Sequence, residues 1–214
     1  HGRGLGSSAS AIVGGLALAR SLVLTGEQYM SDEELITLAT ELEGHPDNVA
    51  AAFYGGATLA WSESKTSSVG ETKNIGRAVS LRVDDRIKAL LLVPDNQLAT
   101  AKARKLLPES ISHQDAVLNS SRTALLVHAL AERPDLLFTA TEDLLHQSYR
   151  AQAMPKTIAL VDKLRGAGLA AVVSGAGPSV MVLYSGGEDE IDQLQSIAPG
   201  FNAMKLSIAK AGVQ

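Results

Sequence analysis

The sequence predicts an α+β protein. Short apolar strand patterns stand at 57–61, 78–83 and 87–93 and again at 170–173, 180–184 and 203–209, whereas helical periodicity fills the stretches before, between and beside them. Strands that come early and late with helices between them do not make the regular β-α alternation of a doubly wound sheet. No internal repeat or low-complexity segment interrupts this order.

Taken in order, Ser7 to Leu24 reads as a buried helix with Ser7 or Ser8 as N-cap, and the Gly14-Gly15 pair in its middle implies close packing against a neighbour. Ser31-Asp32-Glu33-Glu34 is a capping box for a helix running to Gly44. Pro46 starts another through Phe53. Gly55-Gly56 turns the chain into a strand at Ala57–Trp61, and the polar stretch Ser62 to Gly76 reads as an exposed loop. Ala78–Val83 alternates as a half-buried strand, while Ile87–Val93 is continuously apolar, as a central strand is. Helices follow at 99–107, 114–132, 135–145 and 156–167. Two strands flank a glycine-rich loop at 174–179, and a helix over 188–196 precedes the closing strand.

Composition narrows the function. The 214 residues are 45% hydrophobic and 20% charged, with a net charge of -4. That balance offers no basic face, and 4% aromatic residues offer no base-stacking platform, so nucleic acid is not the expected partner. The absence of cysteine removes disulfides, thiolate metal sites and cysteine nucleophiles, and suits a cytoplasmic protein. The apolar run 11–24 is too short to span a bilayer, which takes about 20 residues, so no membrane role is expected.

The stretch most suggestive of chemistry opens the chain. Gly2-Arg3-Gly4-Leu5-Gly6-Ser7-Ser8-Ala9-Ser10 is a glycine- and hydroxyl-rich loop feeding a helix. Such a loop lets a ligand approach the backbone, and the helix start adds unpaired N–H groups and a positive dipole end, together an anion site. It lacks the Gly-Lys-Ser/Thr ending of a Walker A motif, and a solvated loop with a serine cap would have the same composition.

Three ordered blocks carry a resemblance. Gly4-Leu5-Gly6-Ser7-Ser8-Ala9 resembles the phosphate-binding motif of the galactokinase, homoserine kinase, mevalonate kinase and phosphomevalonate kinase (GHMP) superfamily. Glu43-Gly44-His45-Pro46-Asp47-Asn48-Val49-Ala50 resembles the homoserine kinase form of the next motif, and Val173-Ser174-Gly175-Ala176-Gly177-Pro178-Ser179-Val180 the C-terminal glycine-rich motif. The fold this resemblance implies is a two-layer one: residues 1–62 as the remainder of an N-terminal, ribosomal-protein-S5-like nucleotide-binding domain, and residues 63–214 as a ferredoxin-like α+β domain. It also implies that strands and a helix precede the first motif.

The activity implied is transfer of the ATP γ-phosphoryl group to the side-chain hydroxyl of L-homoserine, on the route to threonine. Arg3, Gly4, Leu5, Gly6, Ser7, Ser8 and Ala9 would bind ATP, with Ser8 and Glu41 holding Mg²⁺ and Glu43 as the runner-up. His45, Arg104, Arg150, Gly175 and Gly177 would contact the substrate. Asn48 stands where mevalonate-type relatives place a catalytic aspartate; with no accessible pKa it can orient the hydroxyl but not take its proton. Arg104 and Arg150 suit the α-carboxylate, since a planar cation pairs with it bidentately. Family members often dimerise, so a homodimer is open to the chain. Two alternatives stay open: another small-alcohol kinase of the superfamily, mevalonate-type, and a catalytically incomplete nucleotide-binding fragment.

Overall fold

The computed structural model describes residues 2–66, 72–187 and 198–213. The chain divides into two compact units, one of residues 6–82 and 208–214 and one of residues 1–5 and 83–207.

The first unit packs four helices with a hairpin. Helix α1 (Ser7–Leu22) begins on Gly6 in the left-handed conformation, φ 65°, without a side-chain cap. Helix α2 (Gly26–Tyr29) is one turn, and α3 (Asp32–Glu43) starts on the expected capping box, with Ser31 and Glu34 bonded reciprocally. Helix α4 (Asp47–Tyr54) leads to strands β1 (Ala57–Thr66) and β2 (Thr72–Leu81), paired antiparallel from Ala57↔Leu81 to Thr66↔Thr72. The core joins Ala9 and Val13 to Leu35, Ile36 and Ala39, and to Val49 and Phe53. Arg20 stacks over the Phe53 ring and pairs with Asp32 at 2.6 Å. Val213 donates its N–H to Ala52, tying the chain's end to α4.

Three expectations change here. Helix α1 is not buried all round: Ala9 and Val13 are its fully buried residues, Leu18 and Leu22 are exposed, and a Cβ on Gly14 or Gly15 would meet nothing within 4 Å. Apolar composition alone hid the fact that only one stripe faces the core. The polar stretch expected as a loop is mostly strand, because Ser64–Asn74 and Thr66–Thr72 hydrogen bonds pair its two arms, while 67–71 lie outside the described residues. An exposed ladder with polar side chains on both faces lacks the period-2 signal. The division expected after residue 62 falls inside β1, and the pairing of β1 with β2 carries the first unit on to Arg82.

The second unit builds a four-stranded antiparallel sheet from β3 (Lys88–Pro94), β4 (Ala170–Val173), β5 (Val180–Tyr184) and β6 (Phe201–Ser207), in the order β4-β5-β3-β6. Strands β3 and β4 are therefore parallel with β5 between them, the split βαβ arrangement of ferredoxin-like sheets. Between β3 and β4 run α5 (Thr100–Arg104), α6 (His113–Ala131), α7 (Leu137–Ala140), α8 (Gln147–Arg150) and α9 (Pro155–Gly166). The continuously apolar β3 is central as predicted, and Leu90 and Leu92 pack with Val180, Val182 and Leu164 in the core. The helix expected over 135–145 is broken into turns. Thr141 Oγ1 donates to the carbonyls of Leu137 and Phe138, and Asp143 takes the backbone N–H groups that follow, so side chains replace the helical ladder. The helix expected at 188–196 lies outside the described residues.

Candidate active site

The opening loop rests on the glycine-rich loop after β4. Gly4 adopts φ 74°, and a Cβ there would overlap the Ser174 carbonyl oxygen, so glycine is required at this contact. Ser174 Oγ donates to Gly4 O at 2.8 Å, and the Leu98 N–H donates to Gly2 O at the same distance. Arg3 Nη2 donates to Asp95 O, while its Nε is buried without a partner among the described residues. The glycine-rich loop is fixed in turn on α9, where Thr157 Oγ1 donates to Pro178 O at 2.7 Å and Gly177 abuts the Met154 sulfur.

In the first unit, candidate residues gather at the start of α1. Because no side chain caps this 16-residue helix, its first turn presents backbone N–H groups and the positive dipole end to a ligand. Ser8 Oγ donates to Glu43 Oε2 at 2.7 Å. The His45 ring lies between Asp47, 2.5 Å from Nδ1, and Glu43, 3.9 Å from Nε2. A Cβ on Gly6 would come 3.3 Å from Asn48 Oδ1, so Asn48 lies against the loop that starts α1.

Glu41, preferred from the sequence as the partner of Ser8, points elsewhere. It lines a cleft of about 620 Å³ with Tyr29, Met30, Leu38 and Lys65. Two residues along an α-helix are about 200° apart, so Glu41 and Glu43 cannot share a face, and the hydroxyl of Ser8 meets Glu43. The hydroxyl and carboxylate together suit a hard cation such as Mg²⁺, which takes few protein oxygens and keeps waters. Among the described residues no cluster of three or more acidic or histidine side chains forms a ready-made metal cage.

In the second unit, Arg150 is 7% exposed. Its Nη1 donates to Gly175 O at 3.2 Å, its Nε has no partner, and no ion pair holds it among the described residues. Burial pulls its pKa below the usual guanidinium value, the charge of Asp143 opposes that, and Arg104 adds repulsion. Two arginines within electrostatic range of each other, neither in an ion pair among the described residues, suit an anionic ligand. Arg104 is exposed at the end of α5. Three residues unassigned from the sequence support this region: Thr157, Gln147 and Asp143. Gln147 stands three residues before Arg150 in the stretch His146-Gln147-Ser148-Tyr149-Arg150, which was the one available signal.

Comparison with known proteins places the chain in a class and then in a family. Residues 1–56 match the model "GHMP kinases N terminal domain", and residues 121–199 match "GHMP kinases C terminal". The homoserine kinase of Mycolicibacterium smegmatis is 49% identical over 100% of this chain and 67% of its own length. That of Streptomyces coelicolor is 50% identical over 92% of this chain and 60% of its own. The crystal structure of homoserine kinase from Cytophaga hutchinsonii superposes with a TM-score of 0.77 at 26% identity, covering 99% of this chain and 68% of that one. The chain belongs to the GHMP kinases and, within them, to the homoserine kinase family. It spans 60 to 67% of the length of these two curated relatives. No helix among the described residues is long and apolar enough to cross a membrane.

Proposed function

We propose that this chain serves ATP-dependent phosphorylation of the side-chain hydroxyl of L-homoserine, giving O-phospho-L-homoserine and ADP. The observation that carries the reading is Arg150, a buried guanidinium that, among the described residues, has an unpartnered Nε and no carboxylate in ion-pair contact. Leaving such a group unpaired is costly unless a ligand completes it, and an α-carboxylate has the matching planar fork. Similarity to homoserine kinases along nearly the whole chain supports the same substrate.

In this reading the backbone N–H groups of the Arg3–Ala9 loop and of the α1 start hold the ATP phosphates. Ser8 and Glu43 hold Mg²⁺, which when bound neutralises charge on the phosphate oxygens. Asn48 orients the substrate hydroxyl; having no basic form, it leaves the proton to a phosphate oxygen or to solvent. Arg150, with Arg104, receives the carboxylate beside Gly175 and Gly177, and His45 contributes a polar contact to the substrate. A mevalonate-type activity is disfavoured by asparagine at position 48. In this reading the chain acts on a small molecule in amino-acid biosynthesis, in the cytoplasm.

Incubation with ATP and Mg²⁺ should release ADP only when L-homoserine is present. Equal turnover with mevalonate, or release independent of any alcohol, would overturn the reading.

A further inference from the structure

Among the described residues Asp143 makes four hydrogen bonds, none of them to an arginine. Its Oδ2 accepts from the backbone N–H groups of His146 at 3.0 Å and Gln147 at 2.7 Å. Its Oδ1 accepts from the Leu145 N–H at 3.2 Å and lies 2.8 Å from His146 Nδ1. The carboxylate thus fixes the turn from which α8 starts, and this four-residue helix ends on Arg150. A second tie holds the same turn, since Gln147 Oε1 accepts from the Val173 N–H at 2.7 Å. Val173 is the last residue of β4, directly before the loop whose Gly175 carbonyl receives Arg150.

Charge and geometry then separate in a useful way. Asp143 is close enough for its charge to oppose the effect of burial on Arg150. Yet the pair is not within ion-pair distance, and the donors at 145–147 occupy the carboxylate oxygens. A direct salt bridge would fill the arginine's fork; this arrangement leaves it open.

Resting on the homoserine reading above, we propose that Asp143 is a positioning residue for the substrate: it locks the turn at 145–147 so that Arg150 presents an unpaired guanidinium edge to the substrate's α-carboxylate. The bland alternative is a turn cap that matters only for stability. The two differ in ligand dependence, because a positioning residue acts only where a carboxylate is being held.

The test titrates L-homoserine and 3-aminopropan-1-ol, which has the same hydroxyl and amine but no carboxylate, into wild type, D143A, R150A and the double variant. Asp143→Ala should weaken homoserine binding about tenfold and leave the amino alcohol within about twofold. In the R150A background it should add no further loss, since the effect runs through Arg150. Equal losses for both ligands, or additive losses in the double variant, overturn the proposal. Proton exchange at Arg150 Nε, followed by nitrogen-15 NMR on the unliganded chain, reads positioning without any substrate: D143A should speed it, and unchanged exchange overturns the proposal. If wild type binds no homoserine, the substrate reading fails and this exchange measurement decides the positioning role alone. Should Asp143→Ala not fold, Asp143→Asn keeps one acceptor oxygen and should show a smaller loss confined to homoserine; a loss shared by both ligands overturns the proposal there too.

Discussion

Gly4 and Ser174 are joined side chain to backbone: the Ser174 hydroxyl donates to the Gly4 carbonyl at 2.8 Å, and there is no room for a Cβ on Gly4 beside the Ser174 carbonyl oxygen. Gly4→Ala therefore has to push the two loops apart or abandon φ 74°. The expected cost is about 1–3 kcal/mol, the range for a strained backbone position, and thermal unfolding should show it as a lowered Tm. An unchanged Tm would mean that the contact is soft.

Gly15 predicts the opposite sign. It sits in the middle of α1 with open space where its Cβ would go. Gly15→Ala should stabilise by about 0.5–1 kcal/mol through helix propensity alone, raising Tm by about 1–4 °C in a chain of this size. A fall in Tm on this substitution would show that another surface packs there.

The proposed metal role predicts different outcomes at Glu43 and Glu41. Glu43→Ala removes the carboxylate paired with Ser8, and kinase activity should fall by about a hundredfold or more if that pair holds the cation. Glu41→Ala, in the cleft beside Lys65, should stay within about twofold. Steady-state rates at saturating and limiting Mg²⁺ would check both, and the reverse order would restore the preference read from the sequence.

These contrasts show what was legible in the sequence. The capping box at Ser31, the apolar β3 and the glycine-rich loop between β4 and β5 were all readable, because each rests on a short-range pattern with its own physical cause. The choice between Glu41 and Glu43 was not, since it depends on which face of α3 meets α1, a tertiary fact. The hairpin arms at 62–66 and 72–76 were also hidden, because polar side chains such as Ser64 and Asn74 stabilise the ladder without any alternation of hydrophobicity. Arg150 was assigned to the substrate through the family resemblance, but its unpartnered Nε depends on the fold, in which the turn at 145–147 occupies Asp143.

Asp143 also makes stability depend on acid. Burial alone would raise its pKa, but hydrogen bonds from His146 and from the Gln147 and Leu145 N–H groups outweigh that, and the net value lies below the ordinary one. A depressed carboxyl contributes stability in full above its unfolded pKa of about 3.9 and loses it as pH falls through the folded value. The Tm difference between wild type and Asp143→Asn should therefore be constant above about pH 5 and shrink below about pH 4. A difference that persists unchanged into stronger acid would remove the ionised carboxylate from the account.

Arg150 should trade stability against affinity. A guanidinium 7% exposed, with an unpartnered Nε and a second arginine in range, is costly to the empty chain, and methionine would fill similar space without the charge. Arg150→Met should thus raise the ligand-free Tm, by about 2–4 °C for each 1 kcal/mol of relief. Homoserine binding should weaken by about tenfold to a hundredfold, the worth of a charge-assisted bidentate pair. The two effects meet in one thermal-shift experiment, because a ligand stabilises only the state it binds. At one fixed concentration, L-homoserine should raise the wild-type Tm and raise that of Arg150→Met by markedly less; a variant that is less stable without ligand, or that responds to homoserine as fully as wild type, would mean that Arg150 serves the packing of the glycine-rich loop rather than the substrate.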